Sequence, residues 1–192
     1  MVSLFRLFTA IMVASTLLAG CTNIIHATTD KPFQPDPSET PIGTDINDWQ
    51  LETLIGVNIK KAHPTLEISH INVHAYNGVV LLTGEVPSNE LRSLAGQTAR
   101  DFRGVRQVYN ELETKGVTSF LARTNDTWLT TKVKTKLIAD NQVKASKLKV
   151  VTESGVIYLM GVVPRAIAER AANIASNTKG AQRVVKVIEY LD

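Results

Sequence analysis

The chain has 192 residues, a formal net charge of +3 and a single cysteine. This length holds one ordinary domain or two small ones, and one cysteine excludes an internal disulfide. The charge is uneven: residues 21–45 are net −3, residues 46–115 net −1 and residues 124–192 net +5, so the C-terminal part is directed toward something anionic.

Arg6 is the one charge among the first twenty residues. An apolar run from Leu7 to Leu18 follows and ends at Gly20-Cys21, short of the roughly 20 residues that a membrane-spanning helix needs. A positive flank, a short apolar run and small residues at its end predict a secretory signal over residues 1–20. Leu18-Ala19-Gly20-Cys21 resembles the bacterial lipobox, which implies diacylation of the Cys21 thiol, cleavage before it and acylation of the new amine. The alternative is an ordinary cleaved signal followed by a chance cysteine. Each buried methylene contributes about 0.8 kcal/mol, so two or more chains anchor stably. Thr22 follows, not Asp, and similarity to Gram-negative lipoproteins then implies sorting to the outer membrane, on its periplasmic face. Export excludes nucleic acid as a partner. The remaining anions are phospholipid headgroups, lipopolysaccharide and cell-wall polymer.

Residues 21–45 hold Pro32, Pro35, Pro37 and Pro41 among Thr, Asp and Ser. They read as a lipidated, partly extended tether. The chain then repeats itself. Tyr76-Asn77-Gly78-Val79-Val80-Leu81-Leu82-Thr83-Gly84-Glu85-Val86-Pro87 matches Glu153-Ser154-Gly155-Val156-Ile157-Tyr158-Leu159-Met160-Gly161-Val162-Val163-Pro164, with both glycines and the proline at a constant offset of 77. Two copies at this length predict two domains, residues 46–115 and 124–192, joined by a linker over 116–123.

Each copy reads as helix, strand, strand, helix, strand. The first helix spans Asp48 to Lys60, with Leu51, Leu54, Ile55 and Asn58 on the core side, and His63-Pro64 reads as a turn. Ile71, Val73 and Ala75 alternate with His70, Asn72 and His74, as in a half-buried strand. Asn77-Gly78 is a two-residue hairpin turn. Val79 to Thr83 is apolar enough to be central. Ser88 caps the next helix, which turns Leu94, Ala95, Thr98, Ala99 and Phe102 to one face. Gly104 suits its C-terminal cap, and Val105 to Leu112 is the third strand. The second copy places strands at Leu148–Thr152, Val156–Met160 and Val184–Tyr190, with a helix over Arg165–Thr178. A right-handed crossover makes the last two strands of each copy parallel. The fold class is therefore α+β: two tandem units, each with a three-stranded mixed sheet and two helices on one face.

These twin repeats, each continuing into an Ala-rich helix and a Gly-containing turn before the last strand, resemble the BON domain over about residues 46–192. Two such domains behind a lipobox are similar to dual BON-domain outer-membrane lipoproteins. The resemblance implies a non-enzymatic protein that binds anionic phospholipid through the first helix of its second domain. It also implies a role in envelope integrity and cell separation, with enrichment at the division site among the expectations. The competing reading is a protein adaptor that regulates outer-membrane assembly machinery or cell-wall hydrolases.

The residues of that helix can be weighed directly. Asn125, Asp126 or Thr127 can cap it, and it runs to about Asp140. At about 100° per residue, Leu129, Val133 and Leu137 form the core stripe. Trp128 points well away from that stripe, onto a face with Lys132 and Thr135, flanked by Lys134 and Lys136. Indole rings settle at headgroup level, where ammonium groups meet phosphate. The other reading packs Trp128 against a loop or the first domain. The candidate lipid-contact set is Trp128, Thr131, Lys132, Lys134, Thr135 and Lys136. Trp49 also opens a helix, but beside Asp48 and Glu52, so the first domain is expected to contact protein or to brace the second.

Catalytic and metal chemistry find little support. His70 and His74 stand about 13 Å apart along a strand, so they cannot share one ion and read as solvated surface residues. His63 lies in a turn and His26 in the tether. Ser88, Ser93 and Ser154 have no His or paired carboxylate nearby in sequence. Gly78, Gly84, Gly155 and Gly161 flank strands instead of opening helices, so they are no phosphate loop. No catalytic residue, metal site or cofactor is expected.

Overall fold

The computed structural model describes residues 47–115 and 120–191, with side chains from residue 125 onward in the second stretch. Cys21, the signal segment, His26 and the proline-rich tether lie outside the described residues. The first domain comprises α1 (Asp48–Ala62), α2 (Pro64–Ile68), β1 (His70–Tyr76), β2 (Val79–Val86), α3 (Asn89–Arg100), β3 (Gln107–Asn110) and β4 (Glu113–Thr114). The second comprises α4 (Phe120–Ala139), a 3-10 turn (Ala145–Lys147), β5 (Leu148–Glu153), β6 (Val156–Val163), α5 (Arg165–Ser176) and β7 (Arg183–Tyr190). In each sheet the middle strand pairs antiparallel with the strand before it and parallel with the one after the crossover helix.

Local chemistry explains most boundaries. Asn47 and Gln50 form a reciprocal capping box at the start of α1, which satisfies two otherwise orphaned N–H groups. The Ser88 hydroxyl accepts from the Leu91 N–H at the start of α3, as expected. The hairpin turns Asn77-Gly78 and Ser154-Gly155 both adopt left-handed φ, which the primed two-residue turn demands. An acidic residue clamps each turn. The Asp48 carboxylate accepts from the N–H groups of Asn77 (2.7 Å) and Gly78 (3.0 Å). The Asp126 carboxylate accepts from those of Ser154 and Gly155, both at 2.7 Å. Gly84 and Gly161 recur because the backbone at the start of the preceding strand passes too close for a side chain. A Cβ would sit 2.0 Å from the His70 carbonyl oxygen at Gly84, and 2.5 Å from that of Lys147 at Gly161.

The structure corrects several expectations. His63-Pro64 opens the short helix α2, with His63 Nδ1 accepting from the Thr65 N–H; proline is favoured at a first helical turn because its missing N–H would be orphaned there anyway. The third strand of the first domain is broken into β3 and β4, which keep one register on β2. At the break the Arg92 guanidinium donates to the carbonyls of Asn110 and Leu112, both at 2.7 Å. The C-cap of α3 is Asp101, and Gly104 instead takes its left-handed φ in the turn that follows. Leu94 is exposed, while Gly96 turns inward beside Asn110. Helix α4 begins at Phe120, inside the stretch read as a linker. Asp126 is spent on the hairpin turn and not on capping.

The largest difference concerns β1. Its polar face, with His70, Asn72 and His74, is no solvated surface, because the second domain covers it. Alternate residues of each central strand face opposite ways. Val80, Leu82 and Val86 join the core under α1 and α3, and Ile157, Leu159 and Val163 join that under α4 and α5. Their neighbours Val79, Leu81, Val156, Tyr158 and Met160, with Val151 and Val187, form a third core between the two sheets. Burying such a side chain contributes about 1.5–3 kcal/mol. The result is four layers: helices, sheet, sheet, helices. Burial pushes the Tyr158 phenol up to about 12.

Polar contacts ring this interface. Glu153 accepts from Asn72 Nδ2 (2.9 Å) and Thr83 Oγ1 (3.3 Å), and lies 3.5 Å from His70 Nε2. Lys149 pairs with Glu52 and donates to the Ala75 carbonyl. Arg106 pairs with Glu189, and the Tyr76 hydroxyl donates to the Lys147 carbonyl.

His74 on the covered face of β1 and Glu153 opposite it make the docking sensitive to acid. Burial, then the charge of Lys149, hold His74 below 6.5 against the opposing pull of Glu52 and Glu153. Unfolded His74 therefore takes its proton first. Its contribution is full above about pH 6.5 and lost as pH falls through the folded value. Burial works to raise Glu153, but hydrogen bonds from His70, Asn72 and Thr83 prevail and hold it below 4.5. That contribution is full above about pH 4.5 and lost below it. The melting temperature is expected to start falling below about pH 6.5, and His74→Asn to flatten that first decline. Calorimetry over a pH series checks both.

Candidate lipid-contact surface

The core stripe of α4 is as expected, with Leu129, Val133 and Leu137 buried. These anchor the helix on β5 and β6 and leave its opposite face outward. Trp128 is 65% exposed. The Lys132 ammonium lies 6.0 Å from the centroid of the indole, at the limit of cation–π range.

Ile138 was not among the expected contact residues, yet it is 73% exposed. It stands ten residues after Trp128, about 15 Å along the helix axis, and about 80° from it around the helix. Thr131 and Thr135 lie between them and are both exposed. Their hydroxyls donate back to the carbonyls of Thr127 (3.0 Å) and Thr131 (2.9 Å). With the hydroxyls turned to the backbone, the ridge from Trp128 through Thr131 and Thr135 to Ile138 offers mostly carbon to its surroundings. The signal for Ile138 was present in the sequence, since an apolar residue next to the core position Leu137 must face away from the core.

The lysines divide by role. Lys134 is exposed on one flank of the ridge, and Lys132 lies on the other. Lys136 donates to the Asn177 carbonyl at 3.1 Å, so its ammonium is drawn to the C-terminal end of α5. A cleft of about 480 Å³ opens beside Trp128, where Lys132 meets Lys115 of the first domain and Lys179 of the turn after α5. Neither Lys115 nor Lys179 was expected there, because only the fold brings three distant segments together.

No helix among the described residues is long and apolar enough to cross a membrane. No cluster of three or more His, Cys, Asp or Glu suited to a metal is present among them. His70 and His74 line the interface between the domains, and Ser88 is occupied as a helix cap.

Residues 47–116 and 125–192 each match the BON domain. The chain is 37% identical over 186 residues to "Outer membrane lipoprotein DolP" of Haemophilus influenzae, covering 95% of each chain. It is 37% identical over 166 residues to "21 kDa hemolysin" of Actinobacillus pleuropneumoniae, covering 86% of this chain and 84% of that one. It is also 29% identical over 185 residues to "Osmotically-inducible protein Y" of Escherichia coli, covering 91% and 90%.

The two outward lysines of this region should differ in stability. Lys136→Ala loses its bond at the end of α5 and should cost a few tenths of a kcal/mol, as expected for a cation near a helix C-terminus. Lys134→Ala should be neutral. Urea denaturation of both variants beside the wild type checks this.

Proposed function

Because this chain belongs to the BON-domain family, we propose that it acts as an outer-membrane lipoprotein, anchored by acyl chains on Cys21, whose second domain docks on anionic phospholipid. The observation that carries this reading is the outward face of α4. Two large apolar side chains, Trp128 and Ile138, are exposed on one ridge with lysines on both flanks. Such a helix lies in the plane of a membrane interface, with its apolar ridge among the acyl chains and its cations at headgroup level. The name of the relative from Haemophilus influenzae supports the compartment.

The contact set is Trp128, Thr131, Lys132, Lys134, Thr135 and Ile138. Thr131 and Thr135 contribute shape and carbon surface, since their hydroxyls are already bonded. Lys136 contributes long-range charge only. The preference is for phosphatidylglycerol-like headgroups, which carry a net negative charge and no group that must be read individually. Each lysine near an anionic surface is worth about 1 kcal/mol, so Lys132 and Lys134 together give a moderate affinity. An acyl anchor keeps the domain close to the bilayer, and that raised effective concentration makes a moderate affinity sufficient. The activity is binding, not catalysis. Its consequence is support of envelope integrity and cell separation, through gathering of the protein where anionic lipid is rich.

The chain from Thr22 onward should co-sediment with phosphatidylglycerol vesicles and not with phosphatidylcholine vesicles. Salt should weaken this, because the Debye length is only about 8 Å at physiological ionic strength. Trp128→Glu should abolish it, and Lys132→Ala and Lys134→Ala should each weaken it about fivefold. Unchanged sedimentation of Trp128→Glu overturns the assignment.

A further inference from the structure

A second outward surface lies on the first domain, along the open edge of its sheet. Among the described residues β1 is an edge strand, bonded only to β2. The Ala75 N–H donates to Glu52 at 2.7 Å, and the Ala75 carbonyl accepts from Lys149 at 3.2 Å, so both of its backbone groups point away from β2. In an antiparallel pair every second residue behaves alike. Val73 and Ile71 therefore turn their N–H and C=O groups outward as well. Among the described residues, the edge is closed at Ala75 by side chains and open beyond it.

Helix α1 runs antiparallel alongside. Glu52 stands by Ala75, and Gly56 and Ile59 follow toward Ile71. A cleft of about 370 Å³ separates helix from strand, with Trp49 at one end and Lys60 at the other. Trp49 is 63% exposed. Gly56 lines the cleft on the helix side. The two first helices align residue by residue at an offset of 78: Asp48 with Asp126, Leu51 with Leu129, Ile55 with Val133, Ile59 with Leu137. Each pair plays the same part in both domains. Gly56 then corresponds to Lys134, so the first domain has no side chain where the second has a long one. Glycine is the poorest helix former after proline. Its use in mid-helix makes physical sense where something must approach the helix closely.

We infer that this cleft takes an extended peptide segment of a partner protein, added to β1 as a further strand. A backbone with paired N–H and C=O groups at the strand repeat meets the outward groups of Ile71 and Val73. A lipid acyl chain offers no such groups, and a helix cannot present them. Side chains of the added strand would alternate, so one set points inward to Ile59 and Gly56. Glu52 and Lys60 at the two ends favour polar residues flanking a short apolar centre. Trp49 covers the segment from the side, as an aromatic anchor at low entropic cost. This site is separate from the ridge on α4 and does not depend on it.

Random octapeptides displayed on phage and selected against the full chain in nonionic detergent provide the test. Enriched sequences should show apolar residues at alternate positions. A synthetic copy should slow hydrogen exchange at the Ile71 and Val73 amides. Gly56→Lys should weaken its binding at least tenfold, with no fall in melting temperature, and Trp49→Ala several-fold. Trp128→Glu should leave it unchanged. If Gly56→Lys does not fold, Thr53→Arg fills the same cleft from the preceding turn and should give the same loss. The inference is overturned if no peptide is enriched, if enriched peptides bind the filled-cleft variant equally well, or if they leave both amides unprotected.

Discussion

The packing of one sheet on the other governs this molecule. Each BON domain is too small to bury both faces of its own central strand. Next to their hairpin turns β2 and β6 are nonetheless apolar on both faces, because Val79 and Leu81 of the first meet Tyr158 and Met160 of the second across a shared core. Face-to-face sheet packing is the ordinary solution for strands of this kind. Here two copies of one unit supply the two sheets. The polar rim then orients the pair. Glu153 reaches three residues of β1 and β2, and Lys149 and Arg106 reach across at other points of the perimeter. A buried carboxylate is tolerable only when its hydrogen bonds are supplied, and the first domain supplies them.

Everything functional follows from what that packing leaves outside. With the sheets inward, the four long helices form the two outer layers. The α4 ridge belongs to one layer and the α1 cleft to the other, so membrane and peptide would be met on different sides. The two first helices share one residue pattern and differ at a few outward positions. In the second domain Lys134 and Ile138 extend the surface outward. In the first, Gly56 withdraws it and exposes a sheet edge.

Much of this was legible in the sequence. The 77-residue offset disclosed two copies, the period-2 and period-3.6 patterns placed the elements, and the helical angles turned Trp128 away from the core. The misreadings have a common cause. Alternation on β1 marks a polar face but does not say whether water or a second domain lies over it, so His70 and His74 read as solvated. Asp126 looked like a cap because short acidic residues favour that position, yet its carboxylate serves a turn 28 residues later. Lys136 looked like its neighbours because the end of α5 is distant in sequence. Lys115 and Lys179 could not be seen beside Trp128 for the same reason. Contacts between distant segments were invisible, whereas properties of one helix or strand were not.

The shared core makes a direct claim: the two domains unfold as one. The chain has two tryptophans, one in each domain, so each domain reports separately once the other is silenced. Urea denaturation of Trp49→Phe, followed at Trp128, and of Trp128→Phe, followed at Trp49, provides the comparison. A common midpoint and slope for both probes is the expected result, the signature of a single cooperative transition. Two separated midpoints would contradict the account, and would mean that the sheets fold independently and meet only weakly.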